Sequence, residues 1–465
     1  MPDGHSLPGM DAMNDTTRAL ARFAADVRFD RLERELVDKF KKHLLDAIGC
    51  ALHGTSQPWA QIVNRYIREQ RGKRESTLWL QRFRGPAANV ALGLGVMIHS
   101  FDFDDYHNAK VHPGAPVIPA AVAVGEAIGA SGGDVLAAMV AGYETMIRVS
   151  LATGPNASRL RGWHLTGTTG TFGAAAAAGN LLRLNEDEMA SALGMAGTQS
   201  AGLWAFTADG AMSKRFHPGR AGQSGVMAAF LARKGFRGPT RILEATDGGF
   251  CRATSDRFDL TLATADLGTR FLSSQTNIKP YACCASSHSA VDAVLEIRVK
   301  HRFDPSDVEK ILVKTAGVVQ VQCGFAYQAL SVLEAQMSLQ FIVAVALLEG
   351  AALLEQFSEA KIADPRVLDL ARCVEVVVDP DVDRWYPERY ANKVEVVLKN
   401  GRRFETRIDF ARGSVERPMA FPEVAEKFRS LAGYAVTAKQ AERIIAAVER
   451  TETLDNIHEL TGFLG

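Results

Sequence analysis

The chain has 465 residues, of which 53 are basic and 53 acidic, so its formal net charge is zero. This balance argues against broad binding to nucleic acids or membrane surfaces, because both need an excess of positive charge. Hydrophobic residues make up 47% of the chain, which is typical of globular proteins and excludes a largely disordered one. The length allows two or three domains with sizeable cores.

Apolar runs, the N-terminal stretch and the cysteines indicate the cellular location that we expect. No uninterrupted apolar run reaches the roughly 20 residues that cross a bilayer. The N-terminal stretch is polar and acidic and lacks the regions of a signal peptide, so we expect a cytoplasmic protein. A disulfide scaffold or zinc ribbon is not expected, because the cysteines are sparse and form no CxxC pair: Cys50, Cys251, Cys283, Cys284, Cys323 and Cys373.

The first half of the chain is predicted to be helical after a loose tail at residues 1–18. Apolar residues recur every four positions from Leu32 to Leu44, which predicts a helix from Phe29 to Gly54 that ends with Gly54 in the left-handed region. Small, apolar stretches between residues 86 and 203 predict further buried helices. Asn185 and Glu188 have the spacing of a capping box at the start of one of them.

The pattern changes near residue 273, where valine-rich alternating stretches predict strands around residues 309–317, 373–379 and 392–409. Asn400-Gly401 indicates a hairpin turn. Two helical patterns are interspersed with the strands, at residues 289–301 and 334–350. The tail from about Pro418 is helical again, with Thr437 and Gln440 spaced as a capping box.

These patterns predict a fold that is mainly α with an α+β insertion. Residues 1–272 and 412–465 would form a large all-helical domain from both chain ends. Residues 273–411 would form a smaller α+β domain inserted into it.

The most conspicuous motif is HSFDFDDYHNAKVHPG, which lies between two apolar helices. Its histidines and aspartates suit a metal centre, and a metal-dependent hydrolase that uses the cluster at residues 99–112 is one alternative. However, His99, His107 and His112 are eight and five residues apart, whereas two ligands on one helix face need a spacing of three or four. We therefore predict no metal and expect an acid-base centre in a cleft.

Within the motif, Asp104 and Asp105 are the residue types that hold a turn through bonds to the backbone. Asp102 and His112 are the candidates for chemistry, and His107 has no predicted role. A non-catalytic helical scaffold is a further alternative, but polar groups recur at loop ends, which favours an enzyme.

Three other stretches supply compatible groups. His164 precedes a Gly/Thr-rich turn that opens a helix, where free backbone N–H groups can face an anion. Four polar residues fall within seven positions in the next stretch: Lys214, Arg215, His217 and Arg220. IKPYACCASSH contains Lys279, followed by Cys283 and Cys284, which we interpret as packing or lining residues.

These groups share one chemistry. Lysines bind carboxylates, and histidines near aspartates transfer protons near neutral pH. A small polycarboxylate in a cleft between the two domains would use all of them. No Rossmann glycine pattern, Walker motif or nucleophile elbow competes with this interpretation.

The sequence also resembles a known family. HSFDFDDYHNAKVHPG, GWHLTGTTGTFGAAAAAG, SAGLWAFTADGAMSKRFHPGRAGQSG and NIKPYACCASSH, in this order, are similar to the MmgE/PrpD family from about residue 20 to residue 460. That family includes 2-methylcitrate dehydratase, cis-aconitate decarboxylase and iminodisuccinate epimerase. The resemblance implies a helical domain with an inserted lid domain, a homodimer, and catalysis without a metal or organic cofactor.

Carried over by motif, the resemblance implies that Asp102, His112, His164 and Lys214 are catalytic. Lys279, Tyr106 and Lys214 would bind the substrate. His112 and His164 would exchange protons while Asp102 orients one imidazole, and the lysines would hold substrate carboxylates.

Two departures argue against cis-aconitate as the substrate. Tyr106-His107 stands where decarboxylase-type members carry threonine and an aromatic residue, and a histidine of those members is missing near Cys284. The leading prediction is therefore a cofactor-independent hydro-lyase, like 2-methylcitrate dehydratase, that acts on a small di- or tricarboxylic acid. An epimerase or decarboxylase of a related acid is the alternative within the family.

Overall fold

The protein is represented by a computed structural model that describes residues 15–208, 210–386 and 388–465. Of the predicted loose tail, residues 1–14 lie outside the described residues. The tail prediction was wrong for residues 16–18, because a helix begins at Thr16. About 60% of the structure is helical, and its sheets are small, as expected for a mainly α fold with a β component.

The part of the chain before residue 273 consists of helices joined by short loops. Its α-helices are Thr16–Asp26, Arg34–Gly54, Pro58–Gln70, Ala87–Ile98, Gly114–Ile128, Gly132–Ala152, Pro155–Leu160, Leu165–Leu181, Glu186–Thr198, Ser213–Arg233, Phe250–Thr254 and Thr261–Thr264. The predicted buried helices are confirmed, although the last of them ends at Thr198 instead of continuing to residue 203. The capping box of Asn185 and Glu188 is confirmed as well, with both of its hydrogen bonds formed.

The helix Arg34–Gly54 differs from its prediction at both ends. Phe29–Arg31 forms a separate 3₁₀ turn, so the α-helix begins later than the apolar repeat suggested. Gly54 remains helical instead of adopting the left-handed conformation, so that prediction was wrong. A Cβ atom at Gly54 would lie 2.1 Å from the carbonyl oxygen of Met97, so glycine is required there by close packing.

Small residues bring the central helices together. The helix Ser213–Arg233 packs against Leu165–Leu181 and Ala87–Ile98. At this crossing a Cβ atom on Gly219 would lie only 2.4 Å from the carbonyl oxygen of Leu92. The helix Gly132–Ala152 is long and apolar enough to cross a membrane, but 94% of its most apolar window is buried inside the protein, as in a core helix.

The prediction that residues 1–272 are all helical was wrong at one place. Ser76–Leu78 and Phe83–Gly85 form an antiparallel two-stranded sheet. Strands of three residues are too short to produce a readable alternation in the sequence.

The predicted strands after residue 273 are confirmed as one four-stranded sheet. Its order is Val374–Val378, Val308–Thr315, Asn392–Leu398 and Arg403–Ile408. The first pair is parallel and the other two pairs are antiparallel. The predicted turn at Asn400-Gly401 joins the last two strands, and Gly401 has a φ of 81°, which glycine adopts without strain.

The α-helices around this sheet are His288–His301, Gly317–Cys323, Val332–Met337, Leu339–Glu349, Glu359–Ile362, Pro365–Arg372 and Pro380–Asp383. The predicted helix across residues 334–350 is divided at Ser338, whose extended backbone and capping side chain start a new helix.

The C-terminal helices return to the first half of the chain. They are Phe421–Ala432, Ala438–Glu449 and His458–Thr461, and the first two pack against Arg34–Gly54. Lys427 lies 2.5 Å from Asp46 on that helix. Thr437 caps its helix, but Gln440 donates its side-chain hydrogen bond to Phe463, so only half of the predicted capping box forms. The proposed boundaries at residues 272/273 and 411/412 stay predictions.

Candidate active site

The loop between the helices Ala87–Ile98 and Gly114–Ile128 is anchored by Asp105. Its carboxylate accepts hydrogen bonds from the Gly114 backbone N–H at 2.9 Å and the Tyr143 hydroxyl at 2.7 Å. It also lies 3.1 Å from Nδ1 of the buried His43. These contacts confirm that Asp105 holds the turn.

Asp102 binds two lysines. Its backbone has a φ of 53°, and one carboxylate oxygen lies 3.1 Å from both Lys214 Nζ and Lys279 Nζ. Lys279 also donates a 2.8 Å hydrogen bond to the Asp102 carbonyl oxygen. All three side chains are buried, so the sequence prediction that these residues lie in one place is confirmed.

The charges of this cluster stabilise one another. Burial would raise the pKa of Asp102, but Lys214 and Lys279 hold it well below its ordinary value. Burial opposes the charge on Lys279, and the neighbouring Asp102 nevertheless raises the pKa of that ammonium group. Two positive charges therefore face one carboxylate, with the buried Arg215 nearby. The cluster can accept a further anion.

Asp104, and not Asp102, contacts the imidazoles. His99 Nδ1 lies 2.8 Å and His112 Nδ1 lies 3.5 Å from the same Asp104 oxygen. The expectation that Asp104 only holds the turn and that Asp102 orients an imidazole was therefore wrong. The backbone of the loop directs Asp102, Asp104 and Asp105 to different partners, and the spacing of these residues along the chain does not reveal which partner each one contacts.

The contacts of His112 fix its tautomer. Nδ1 faces the Asp105 carbonyl oxygen at 2.9 Å as well as Asp104, and both are hydrogen-bond acceptors. The proton must therefore lie on Nδ1, which leaves the lone pair on Nε2. His112 is half-buried, and this arrangement suits a general base.

His164 is the second imidazole centre. It is the N-cap residue of the helix Leu165–Leu181, and its Nδ1 lies 3.0 Å from Nδ1 of His217. Its ring also stacks on His99, with centroids 6.0 Å apart. Burial, reinforced by the nearby His99 and His217, lowers the pKa of His164 well below its ordinary value, so the ring is neutral.

His217 is a site residue to which sequence reasoning assigned no role, although it occurs in the basic run that contains Lys214. His99 was considered only as a metal ligand. A pairing between residues 164 and 217 depends on how two helices pack, and no spacing within either motif could have indicated it.

Tyr106 lies where the loop meets the segment that carries Lys279. Its backbone exchanges hydrogen bonds of 3.0 and 2.8 Å with Asn277. Its ring is buried beside His288 and Tyr390, and burial raises its pKa. The structure thus places Tyr106 against the segment that carries Lys279, two residues before that lysine in the chain.

His107 holds the turn that precedes His112. Its Nδ1 accepts a 3.0 Å hydrogen bond from the Ala109 backbone N–H, and the backbone N–H of His107 donates to the Val111 carbonyl oxygen. Burial lowers its pKa to about 4. A neutral His107 therefore closes the turn that leads into His112.

His99, Asp104 and His112 are also the residues that could hold a metal. One ligand atom of each lies within 4.8 Å of the others. Spacing along the chain had argued against a shared site, whereas folding brings these three together. The Asp104 oxygen is in hydrogen-bond contact with His99, which suits proton transfer as well.

Two family models match most of the chain. The family model for the MmgE/PrpD N-terminal domain matches residues 18–263, and the model for the MmgE/PrpD C-terminal domain matches residues 281–453. The chain belongs to the MmgE/PrpD family. The resemblance inferred from the four motifs is thereby confirmed.

Several curated relatives match most of this MmgE/PrpD chain. A cis-aconitate decarboxylase of Aspergillus terreus is 28% identical over 97% of this chain and 96% of its own length. The human cis-aconitate decarboxylase is 28% identical over 97% of this chain and 95% of its own length. A 2-methylcitrate dehydratase-like protein of Aspergillus oryzae is 30% identical, but over only 24% of each chain. The relatives are enzymes, and they support a lyase or decarboxylase of small carboxylic acids.

Proposed function

We propose that the protein is a hydro-lyase of a small di- or tricarboxylic acid that works without a metal or organic cofactor. The observation that carries the proposal is the convergence of Lys214 and Lys279 on Asp102 beside the imidazole cluster. Two buried ammonium groups against one carboxylate favour a substrate with carboxylates of its own. They would also stabilise the enolate charge that develops next to a carboxylate.

The two imidazole centres have the complementary properties that dehydration needs. His112 would remove a proton from the carbon next to the carboxylate through Nε2, and the Asp104 charge would stabilise the imidazolium. The neutral His164 would donate a hydrogen bond from Nε2 to the departing hydroxyl group, with His217 donating to its Nδ1. The imidazolium formed on His112 would then give its proton to that oxygen, so that water leaves and His112 is neutral again.

Decarboxylation is the second candidate, favoured by the relatives named cis-aconitate decarboxylase. The same lysines would stabilise the carbanion left by loss of CO₂, and one imidazole would protonate it. This reaction needs only an acid, so the paired base at His112 makes dehydration the better fit. Epimerisation of a related acid would use the same proton transfers.

The arrangement of domains and subunits belongs to the proposal. Residues 273–411 would act as a lid that supplies Lys279, and Tyr106 would shape the pocket at its edge. We expect a cytoplasmic homodimer.

The test is a substrate screen in D₂O with citrate-like, aconitate-like and aspartate-derived acids. NMR would follow alkene formation, loss of CO₂ and exchange of the α-proton. We expect alkene formation or hydration with at least one acid. Loss of CO₂ without hydration would make the protein a decarboxylase, and turnover of none of these acids would refute the proposal.

Variants connect the activity to the site. His164→Gln and Lys214→Met should each reduce turnover by roughly 10²-fold or more, the usual contribution of an acid-base or electrostatic group. His458→Gln and Lys300→Met are matched controls, because both side chains are more than half exposed. Unchanged turnover in the first two variants would contradict the assignment.

A further inference from the structure

Gln336 is a buried side chain that contacts the two chain segments carrying Asp102 and Lys279. It is only 1% exposed. Its amide Nε2 lies 2.8 Å from the Phe101 carbonyl oxygen and 2.9 Å from the Ala282 carbonyl oxygen. Both neighbours are acceptors, so the amide nitrogen must face them and donates one hydrogen bond to each. One side chain therefore links the loop of Asp102 to the segment that follows Lys279.

The main chain of Gln336 strengthens this link. Gln336 lies in the helix Val332–Met337, and its carbonyl oxygen accepts a 2.9 Å hydrogen bond from the Cys284 backbone N–H. The residue thus holds the segment after Lys279 through both its main chain and its side chain. The amide Oε1 has no hydrogen-bond partner among the described residues, so the two bonds of Nε2 are the ones that orient the amide.

Asp102 needs such a link because its backbone conformation is unfavourable for a residue with a Cβ atom. Its φ of 53° lies in the left-handed region, which residues other than glycine seldom adopt. Gln336 binds the peptide group before the Asp102 Cα atom through the Phe101 carbonyl oxygen. Lys279 binds the peptide group after it through the Asp102 carbonyl oxygen. The two donors thereby fix the orientation of both peptide groups, and with them φ and ψ of Asp102.

A third donor extends this pattern by one residue. Lys427 donates a 2.7 Å hydrogen bond to the Phe103 carbonyl oxygen. The successive carbonyl oxygens of Phe101, Asp102 and Phe103 therefore each accept a hydrogen bond from a side chain of a different chain segment. Gln336 is the uncharged donor of the three, so its replacement changes the position of the loop without changing the charge of the site.

We propose that Gln336 is a positioning residue of the active site, which holds Asp102 so that its carboxylate contacts Lys214 and Lys279 together. Those contacts are 3.1 Å each and depend on the direction in which the Asp102 side chain leaves the main chain. Gln336 acts through Asp102 and transfers no proton. Its effect on turnover rests on the proposed function, whereas its effect on the conformation of Asp102 does not.

The first test needs no substrate. Methionine is an unbranched and flexible side chain without a hydrogen-bond donor, so Gln336→Met removes both bonds and keeps most of the packing. In a crystal structure of this variant we expect Asp102 to leave the positive-φ region and its carboxylate to lose contact with Lys214 or Lys279. If the variant does not fold, Gln336→Glu takes its place, because a carboxyl group can donate at most one of the two bonds. An Asp102 that keeps its φ and both contacts would overturn the proposal.

The effect on catalysis is measured with the acid found in the substrate screen. A shift of about 1 Å in the Asp102 carboxylate should lower kcat/KM of Gln336→Met by roughly 10- to 10²-fold. Gln340→Met is the matched control, because Gln340 also makes two hydrogen bonds to backbone groups, those of Tyr327 and Val374, which lie outside the site. The control should keep kcat/KM within about threefold of the unmodified protein.

A double-mutant cycle separates positioning from a general loss of structure. If Gln336 acts through Asp102, then Gln336→Met should lower kcat/KM by less than about threefold in an Asp102→Asn background. Equal effects in the two backgrounds would make Gln336 a general structural residue and overturn the proposal. If His164→Gln and Lys214→Met are inactive while Gln336→Met keeps full activity, only the role of Gln336 is refuted, and the proposed function stands.

Discussion

The substitution Asp104→Asn isolates the charge that lies between His99 and His112. Asparagine has the same shape and can place its oxygen where the Asp104 oxygen contacts both rings. The second carboxylate oxygen has no hydrogen-bond partner among the described residues, so the amide nitrogen can occupy its place. The variant therefore keeps both acceptor contacts and loses only the negative charge.

The size of the effect follows from the distance. An imidazolium on His112 would have its Nδ1 3.5 Å from the Asp104 oxygen. With an effective dielectric constant of about 20, that attraction is worth about 4.7 kcal/mol, which sets an upper limit because His112 is partly exposed. Since about 1.4 kcal/mol corresponds to a factor of ten, kcat should fall by roughly 10²- to 10³-fold. KM should change little, because the lysines hold the carboxylates.

The assay is steady-state kinetics with the acid identified in the screen, together with urea unfolding of the same samples. The buried amide without a partner should cost about 1–3 kcal/mol of stability and leave the protein folded. Asp381→Asn is the control, because that carboxylate is largely exposed. A folded Asp104→Asn variant whose kcat stays within about threefold of the unmodified protein would refute the reasoning.

Three further outcomes follow. Burial lowers the pKa of four histidines to about 4 or below, so the unfolded state binds more protons between pH 6.5 and 4. These residues are His53, His99, His107 and His288. The free energy of unfolding, measured with urea at pH 7 and pH 5, should therefore fall on acidification by up to about 1.4 kcal/mol per histidine and pH unit. Equal free energies at the two pH values would contradict the burial of these histidines in their neutral form. Gly54→Ala should cost about 1–3 kcal/mol or more because its Cβ meets the Met97 carbonyl oxygen, whereas Gly462→Ala, with open space around it, should stay within about 0.5 kcal/mol in the same assay. Dialysis against a chelator should leave turnover unchanged, and stoichiometric zinc or manganese in the purified protein would instead support the hydrolase alternative.

Patterns that repeat within one element could be predicted from the sequence. The four-residue repeat through Leu36, Phe40 and Leu44 indicated a helix because those side chains lie on one buried face. The turn at Asn400-Gly401 was predictable because its conformation depends on the residues themselves. The short strands Ser76–Leu78 and Phe83–Gly85 were missed because three residues carry no period.

Contacts that depend on tertiary packing were only partly predictable. The motifs identified Asp102, His112, His164 and the lysines, since titratable groups at loop ends indicate a cleft. They could not assign each aspartate to its partner, because that depends on backbone conformation, such as the positive φ of Asp102.

Asp102, Asp104 and Asp105 therefore have three different roles, which a single aspartate could not combine. Asp105 is bound to Tyr143 and Gly114, so its carbonyl oxygen can hold the His112 proton in a fixed direction. Asp104 is free to stabilise positive charge on the imidazoles. Asp102 is shared by two buried ammonium groups, so its single negative charge balances only one of their two positive charges. An unmatched buried charge costs several kcal/mol, and a substrate carboxylate would remove that cost, so the cluster itself selects for an anionic acid.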